Sequence, residues 1–506
     1  MKRYKRTGRQ LLCALLAAGV CGAGMMYCVS AAEDGAAETT TAAQQEAPAD
    51  TGTTAAAAPA ETTGAARETM GSMEFEDLPD GTLRLKTFRW FDEPVVTVPA
   101  DVNGKAVTEI GQRAFQYCYA DEVVLPETVT KIGDEAFAGN AYMKKMTIPA
   151  GCTSIGYRAF ADCDLLAEVT IPESVTYIGY LAFDSTPFYL SGQEDFTVLG
   201  GGVLYAYNGT AADVTIPANV AVIGPYACSN HAEMKSVTIP DSVKTVWDGA
   251  FDNCPELKTV QAPATFDYVD AAAFVNTAFY NDFSGDFLML GDYLLHYAGK
   301  ETEVHVPDGV RVVNDSAFEG NTAFTTLLLP DSVERIGRAA CYRCTSLQVV
   351  TLGDKVQAIG DMAFYGCETL RYLRVGHQLS AIGDYAFAGC RDLETVYLPD
   401  TLTSIGDKAF GYVWNLDTSQ YDKMGTALTL YANTEAAKTY AQAEGIKLEP
   451  LPETENTEPP PLVTTVTTEQ GAGIISGKAW IPAAGLGGVL VLIGAVTFAV
   501  RKKKKG

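Results

Sequence analysis

"AIGDMAFYGCETLRYLRV" occupies residues 358–375 and "AIGDYAFAGCRDLETVYL" occupies 381–398, nearly the same text set 23 residues apart. Followed in both directions, an Ile-Gly pair or an apolar substitute for it falls at 110, 132, 155, 178, 223, 246, 269, 313, 336, 359, 382 and 405. Nine of the eleven steps are 22 or 23 residues, and the other two, 45 and 44, are about double. Phe follows five residues later in most copies, with Cys228 and Cys341 in its place twice. Three residues beyond that stands Cys or Asn in most copies: Cys118, Asn140, Cys163, Cys254, Asn321, Cys344, Cys367 and Cys390. A fixed period in this range predicts a solenoid, because no single coil buries its own apolar side and stacking completes the core.

One coil shows the expected logic. In "LRYLRVGHQLSAIGDYAFAGC" (370–390), Leu370, Leu373 and Val375 point inward, and the two-residue alternation of a short strand sends Tyr372 and Arg374 to the opposite face. Gly376, where most copies have Pro, ends the strand. Ile359, Phe364, Ile382 and Phe387 fill the far side, and Gly383 is expected to permit a tight turn. Cys367 and Cys390 stand at the phase where a small buried polar group can tie the backbones of adjacent coils.

The two doubled steps share an "FxxLGxxxLxxYxG" core, at 186–217 and 277–307. Each predicts an inserted β-hairpin, turning at Gly200–Gly202 or Gly291-Asp292, that keeps the register and serves as a brace or a binding rim. Residues 73–88 read as a starting hairpin. Residues 427–450 read as a last strand and a helix with Ala436, Ala437, Tyr440 and Ala443 on one side and Gly445 as its stop.

"SVTYIGYLAF" (174–183) and "SVERIGRAACYRCTSLQVVTL" (332–352) resemble the repeats of bacterial leucine-rich-repeat surface proteins of the BspA type, the treponemal class. The resemblance covers residues 73–449. It implies a curved solenoid of about twelve leucine-rich-repeat coils with a concave sheet of short strands, displayed on a bacterial surface. It further implies adhesion, to host matrix or plasma proteins such as fibronectin and fibrinogen or to other cells. No short motif of this sequence carries a particular ligand over from the family.

The ends are of another kind. Residues 1–32 combine a basic start, an apolar run from Leu11 to Val20 and small residues before Glu33, which predicts a secretory signal peptide cut after Ala31 or Ala32. Residues 33–72, rich in Ala, Thr and Glu, are expected to be disordered, and 450–478 to form a Pro/Thr-rich stalk. "AWIPAAGLGGVLVLIGAVTFAV" (479–500) carries no charge and is long enough to span a membrane, with the basic tail 501–506 on the cytoplasmic side. "LPETE" (451–455) resembles the start of a sortase signal but has Glu455 where that pattern wants Gly. The expected arrangement is a cell-surface protein with one membrane anchor and an outward N-terminal part.

Charge excludes one class of partner. With the five basic residues of the signal and the five of Arg501–Lys505 set aside, 27 bases face 62 acids, a net of −35. Such a surface repels phosphates, so neither nucleic acid nor anionic headgroups are expected partners. The four histidines, His231, His296, His305 and His377, lie on different coils with no metal-ligand spacing. "CYRC" (341–344) is a CxxC whose two cysteines sit at the Phe and Cys phases of the repeat, which favours core packing over a redox or metal pair. Cys344, Cys367 and Cys390, one coil apart, are read as free buried thiols. No catalytic residue, metal site or cofactor site emerges, and an enzyme is not expected.

Binding is then sought on the outward strand face. The outward residues run Val124, Thr147, Thr170, Thr215, Thr238, Gln261, His305, Leu328, Thr351, Arg374, Tyr397 and Thr429. Threonine is an ordinary sheet-face residue, whereas Tyr372, Arg374 and Tyr397 gather beside Leu328 and Val349. Tyr and Arg are enriched at interface hot spots. These five are the candidate ligand-binding residues, for an extracellular protein or glycan. Cross-strand pairs that merely stabilise the sheet are the plainer reading. A self-associating surface spacer and a carbohydrate-binding module are the alternatives to adhesion.

Overall fold

The computed structural model describes residues 68–70, 73–89, 94–191, 194–416, 418–424 and 428–452. The segments expected to be a signal peptide (1–32), a membrane span (479–500) and a basic tail (501–506), and nearly all of the two expected linkers, lie outside the described residues. Among those described, no helix is long and apolar enough to cross a membrane.

The chain winds into a β-solenoid of about fourteen turns with little helix. Each regular coil contributes two short strands. A three-residue strand carries the segment before the Pro or Gly stop, as in Thr326–Leu328, Val349–Thr351 and Tyr372–Arg374. A two-residue strand carries the apolar member of the Ile-Gly pair, as in Ala358–Ile359 and Ala381–Ile382. Both kinds pair in parallel with equivalents one coil away, Leu327 opposite Val350 and Ile359 opposite Ile382, although the three-residue ladder is interrupted between Glu122–Val124 and Lys145–Thr147 and between Tyr372–Arg374 and Thr395–Tyr397.

A third hydrogen-bonded ladder runs along the Phe side. Phe115, Phe137 and Phe160 each donate their backbone N–H to Ala136, Ala159 and Ala182 of the next coil at 2.7 Å. Residues just before them take left-handed backbone angles, Arg113 at φ 58°, Glu135 at 52° and Arg158 at 49°. A left-handed non-glycine residue costs about 1–2 kcal/mol. The bond to the next coil offsets much of that, since an unmade buried bond costs about as much.

Gly383 does not serve the turn that the sequence suggested. It lacks a positive φ, and the left-handed positions nearby are Tyr385 and Gly389. The neighbouring coil requires it instead, because a Cβ there would lie 2.5 Å from the Asp361 amide nitrogen and 2.7 Å from the Gly360 carbonyl carbon.

Side chains at one phase stack on themselves. Phe115, Phe137, Phe160 and Phe183 form a buried run with ring centroids 5.1, 5.0 and 5.4 Å apart and planes within 4°. Phe364, Phe387 and Phe410 form another, at 5.2 and 4.9 Å. The Cys phase ties coils as expected: the Cys367 thiol donates to the Cys341 carbonyl and Cys390 to the Phe364 carbonyl, both at 3.2 Å. Asn140 does the same with two bonds, to Phe115 at 2.8 Å and Phe137 at 2.6 Å. Thr186, Thr277 and His231 hold this phase in three of the remaining four coils, and Val413 holds it in the last. Each threonine hydroxyl donates to a Phe carbonyl at 2.7 Å, and the His231 Nε2 lies 3.0 Å from the Tyr207 carbonyl.

Both doubled steps contain the expected hairpin, Phe196–Leu199 with Val203–Tyr207 and Phe287–Leu290 with Tyr293–Tyr297. The second strand of each supplies a turn of the stack, Leu204 pairing beside Ile223 and Leu294 beside Val313. The buried core divides at these hairpins into three clusters. Their turns press on the preceding coil, where a Cβ on Gly201 would collide with the Glu173 carbonyl oxygen and one on Gly291 would lie 2.7 Å from the Pro263 oxygen. That close seat is what a brace requires.

The caps differ in detail from expectation. The starting hairpin, Met73–Asp77 with Leu83–Phe88, gains a third strand, Glu68–Met70, from the stretch expected to be disordered. At the other end the helix Glu435–Glu444 is capped by Thr434 and stops at Gly445, φ 65°. Its buried side is Ala437, Tyr440 and Ala441, while Ala443 is exposed because the helix presents a narrower stripe than the sequence suggested. A hairpin that the repeat did not announce, Tyr412–Asn415 with Gln420–Lys423, stands between the last regular coil and this cap.

Candidate functional site

The five candidate residues lie on consecutive three-residue strands whose middle residue points into the core. Leu327, Val350, Leu373 and Val396 are buried, so their flanking residues face outward in two rows. One row runs Thr326, Val349, Tyr372, and the other Leu328, Thr351, Arg374, by direct register. The strand Thr395–Tyr397 follows, and its own ladder sets Tyr397 opposite Tyr431. Thr429 was expected to continue the Tyr397 row, but it pairs with Thr395, because the inserted hairpin at 412–423 offsets the count.

None of the five is fully exposed; all are half-buried. Arg374 explains part of this. Its guanidinium makes an ion pair with Asp354 at 3.1 Å and donates to the Leu352 carbonyl at 3.3 Å. His377 reaches the same Asp354 carboxylate at 3.2 Å. Tyr397 stacks on Tyr431, centroids 4.7 Å apart and planes 19° apart. Burial raises the Tyr372 phenol above the ordinary tyrosine range, with Arg374 opposing the shift, so the ring is a neutral hydrogen-bonding group at physiological pH. The structure thus gathers Val349, Tyr372 and Arg374 on adjoining strands, with Leu328 one coil before and Tyr397 one coil after.

A second aromatic group escaped the sequence reading. Tyr342 and Tyr365 stack at 5.1 Å, Tyr421 of the late hairpin packs at 4.6 Å from Tyr385, and Trp414 meets Tyr421 at 4.9 Å. Tyr342 and Tyr365 share one phase, 23 residues apart, which was the available signal. Their faces cover one another, so this group anchors the late hairpin to the coils.

Among the described residues no three His, Cys, Asp or Glu side chains are placed to hold a metal ion. The nine described cysteines are all buried and unbridged. Burial pushes the Cys152 thiol up to about 11 and that of Cys163 up to about 12, and Cys341 and Cys367 also rise well above the ordinary thiol range. Since the thiolate is the reactive form, these cysteines should resist alkylation at pH 8 in the native protein and label fully in denaturant. Residue-resolved mass spectrometry reads this directly, and native labelling of Cys341 or Cys344 would revive the CxxC pair as a reactive site.

The family model for the BspA type leucine rich repeat region, six copies long, matches residues 101–191, 203–323 and 288–417. A leucine rich cell surface protein from Faecalibacterium prausnitzii A2-165 is 23% identical over 74% of this chain and 97% of its own, with a TM-score of 0.29. A leucine-rich repeat protein from Bacteroides ovatus is 20% identical over 76% and 100%, at 0.26. The pneumococcal vaccine antigen PcpA is 16% identical over 78% and 100%, at 0.28. No curated protein matches.

Proposed function

The chain belongs to the family of BspA type leucine-rich repeat proteins, and on that premise we propose that it is a bacterial cell-surface adhesin whose outward strand face recognises an extracellular ligand. The supporting observation is the gathering of Val349, Tyr372, Arg374 and Tyr397 on successive strands of an otherwise threonine-rich outward face. Inward positions answer to the core, but outward ones do not. Rigid, half-buried aromatics beside an oriented guanidinium lose little side-chain freedom on binding, which is what interface hot spots require. A protein on a host matrix or a neighbouring cell is the ligand class that suits a row of aromatic and guanidinium groups of this kind, and 479–500 would be its membrane anchor. The repeat architecture is a scaffold, and no enzymatic role is assigned to it.

The test is binding of the 73–449 region to immobilised matrix and plasma proteins, mucins and itself. The Tyr372→Ala, Arg374→Ala, Tyr397→Ala triple variant should bind at least tenfold more weakly, with an unchanged unfolding transition for the remaining coils. Binding that survives the triple variant would move the site off this face. Self-association without any heteroligand would favour the spacer.

A further inference from the structure

A groove of about 700 Å³ runs over the Ile-Gly ladder of the N-terminal coils, far along the chain from the strand face discussed above. That volume lies within the ~300–1,000 Å³ typical of small-molecule sites. Its floor is backbone at Gly111, Gly133 and Gly156, and Tyr177 and Trp247 line it with aromatic surface. Trp247 is a departure from the repeat. Nine of the twelve copies carry Gly at this phase, including Gly224 immediately before it. The indole packs edge-on against Tyr177, centroids 4.9 Å apart at 77°, and lies 5.1 Å from Tyr268. Its Nε1 is enclosed without a hydrogen-bond partner among the described residues. An enclosed donor left unpaired carries a desolvation penalty, which glycine at this phase would not incur. A break in local consistency that raises the cost of folding and lines a groove marks a functional position.

The charges of the groove specify the ligand further. Glu76, Glu109 and Asp134 face Arg84, Lys86 and Lys131, so the lining is electrically balanced within a strongly acidic chain. Arg84 is held between Glu76 and Glu109 at 3.0 and 2.7 Å, while Lys131 is exposed. A balanced lining exerts no net pull on a polyanion or a polycation, yet it offers strong donors and acceptors for hydroxyl groups. Main-chain recognition of a peptide is disfavoured, because the strand Ser154–Ile155 beneath the groove is already paired on both sides. A sugar ring combines an apolar C–H face with a rim of hydroxyls, which matches an aromatic wall beside mixed charges.

We propose that this groove, walled by Tyr177 and Trp247 and edged by Arg84, Glu109, Lys131 and Asp134, binds a neutral oligosaccharide. The site is separate from the proposed adhesive face and stands without it.

Full-length protein titrated with millimolar cello-, manno-, xylo- and galacto-oligosaccharides, followed by calorimetry and intrinsic fluorescence, tests the idea. At least one of these sugars should bind and alter the tryptophan emission. Trp247→Gly and Tyr177→Ser place at each position a residue that other coils carry at the same phase, and each should weaken binding at least tenfold. Lys131→Ala, an exposed change with no packing role, should weaken it several-fold. Absence of binding by all four sugars would overturn the proposal. So would binding unchanged in both Trp247→Gly and Lys131→Ala, or a preference for sialylated or polygalacturonate probes. The Tyr372, Arg374 and Tyr397 variant should leave sugar binding intact, so failure of the adhesive reading and failure of this one are separately visible.

Discussion

Phe137→Ala should destabilise the N-terminal coils by about 3–5 kcal/mol, the range for truncating a fully buried phenylalanine. The ring is inaccessible to solvent and is stacked on both faces, by Phe115 at 5.1 Å and Phe160 at 5.0 Å. Truncation therefore removes two aromatic contacts, each worth about 0.5–1.5 kcal/mol beyond burial, and opens a cavity between coils. Collapse cannot close it easily, because the coils on either side are fixed by the Ile-Gly ladder and by the backbone bonds of the Phe side. In a solenoid each coil is stabilised by its neighbours alone, so the loss should concentrate in the coils before the first inserted hairpin. Hydrogen exchange would show faster opening across roughly residues 100–180, with the C-terminal coils unaffected. A loss below about 1 kcal/mol would mean that the coil relaxes around the vacancy and that the Phe run is not the axis of the core.

What the sequence made legible follows from this same repetition. A phase that recurs every 22 or 23 residues, as Ile359 and Ile382 or Phe364 and Phe387 do, has one structural meaning throughout, so reading one coil reads most of the others. Legibility failed where different residues answer one physical demand. The Cys phase requires only a compact side chain able to donate to a carbonyl, so Thr186, Thr277 and His231 serve there without resembling cysteine. It failed again where an insertion shifts the count, as with the 412–423 hairpin that carries Tyr431 rather than Thr429 into line with Tyr397. Gly383 was read through its own backbone freedom, although the constraint comes from Asp361 on the coil before, a contact no linear pattern displays. The outward rows were legible because strand alternation is strictly two-residue, but their half-buried state was not, since it depends on pairs such as Arg374 with Asp354 that only the coil spacing creates. Trp247 stood in plain sight as the large residue among glycines, yet the groove it lines requires Tyr177, three ladder positions away, to be brought beside it.

Asp292→Ala should cost about 2–4 kcal/mol and decide whether the second hairpin is a brace. Asp292 sits in the hairpin turn and is nearly inaccessible to solvent. Its carboxylate accepts from the Phe266 amide at 3.1 Å on the preceding coil and from Arg311 Nε at 2.6 Å on the following one. Its backbone carbonyl accepts from the Arg311 amide at 2.9 Å, and the Arg311 guanidinium donates onward to the Phe266 carbonyl. One side chain thus joins three successive segments. Breaking a fully buried ion pair from one side costs about 3–5 kcal/mol because the remaining charge is stranded. Here Arg311 is 30% exposed and Glu334 lies 3.8 Å away, so water and a second carboxylate compensate in part and the lower range applies. Asp292→Asn, which keeps an acceptor for Phe266 but loses the charge, should cost less than Asp292→Ala. In a double-mutant cycle with Arg311→Ala the two losses should be strongly non-additive, the double variant falling little below either single one. If Asp292→Ala instead lost less than about 1 kcal/mol, strand pairing alone would be holding the hairpin. Its outer side would then be free to move, which is what a binding rim needs and a brace forbids.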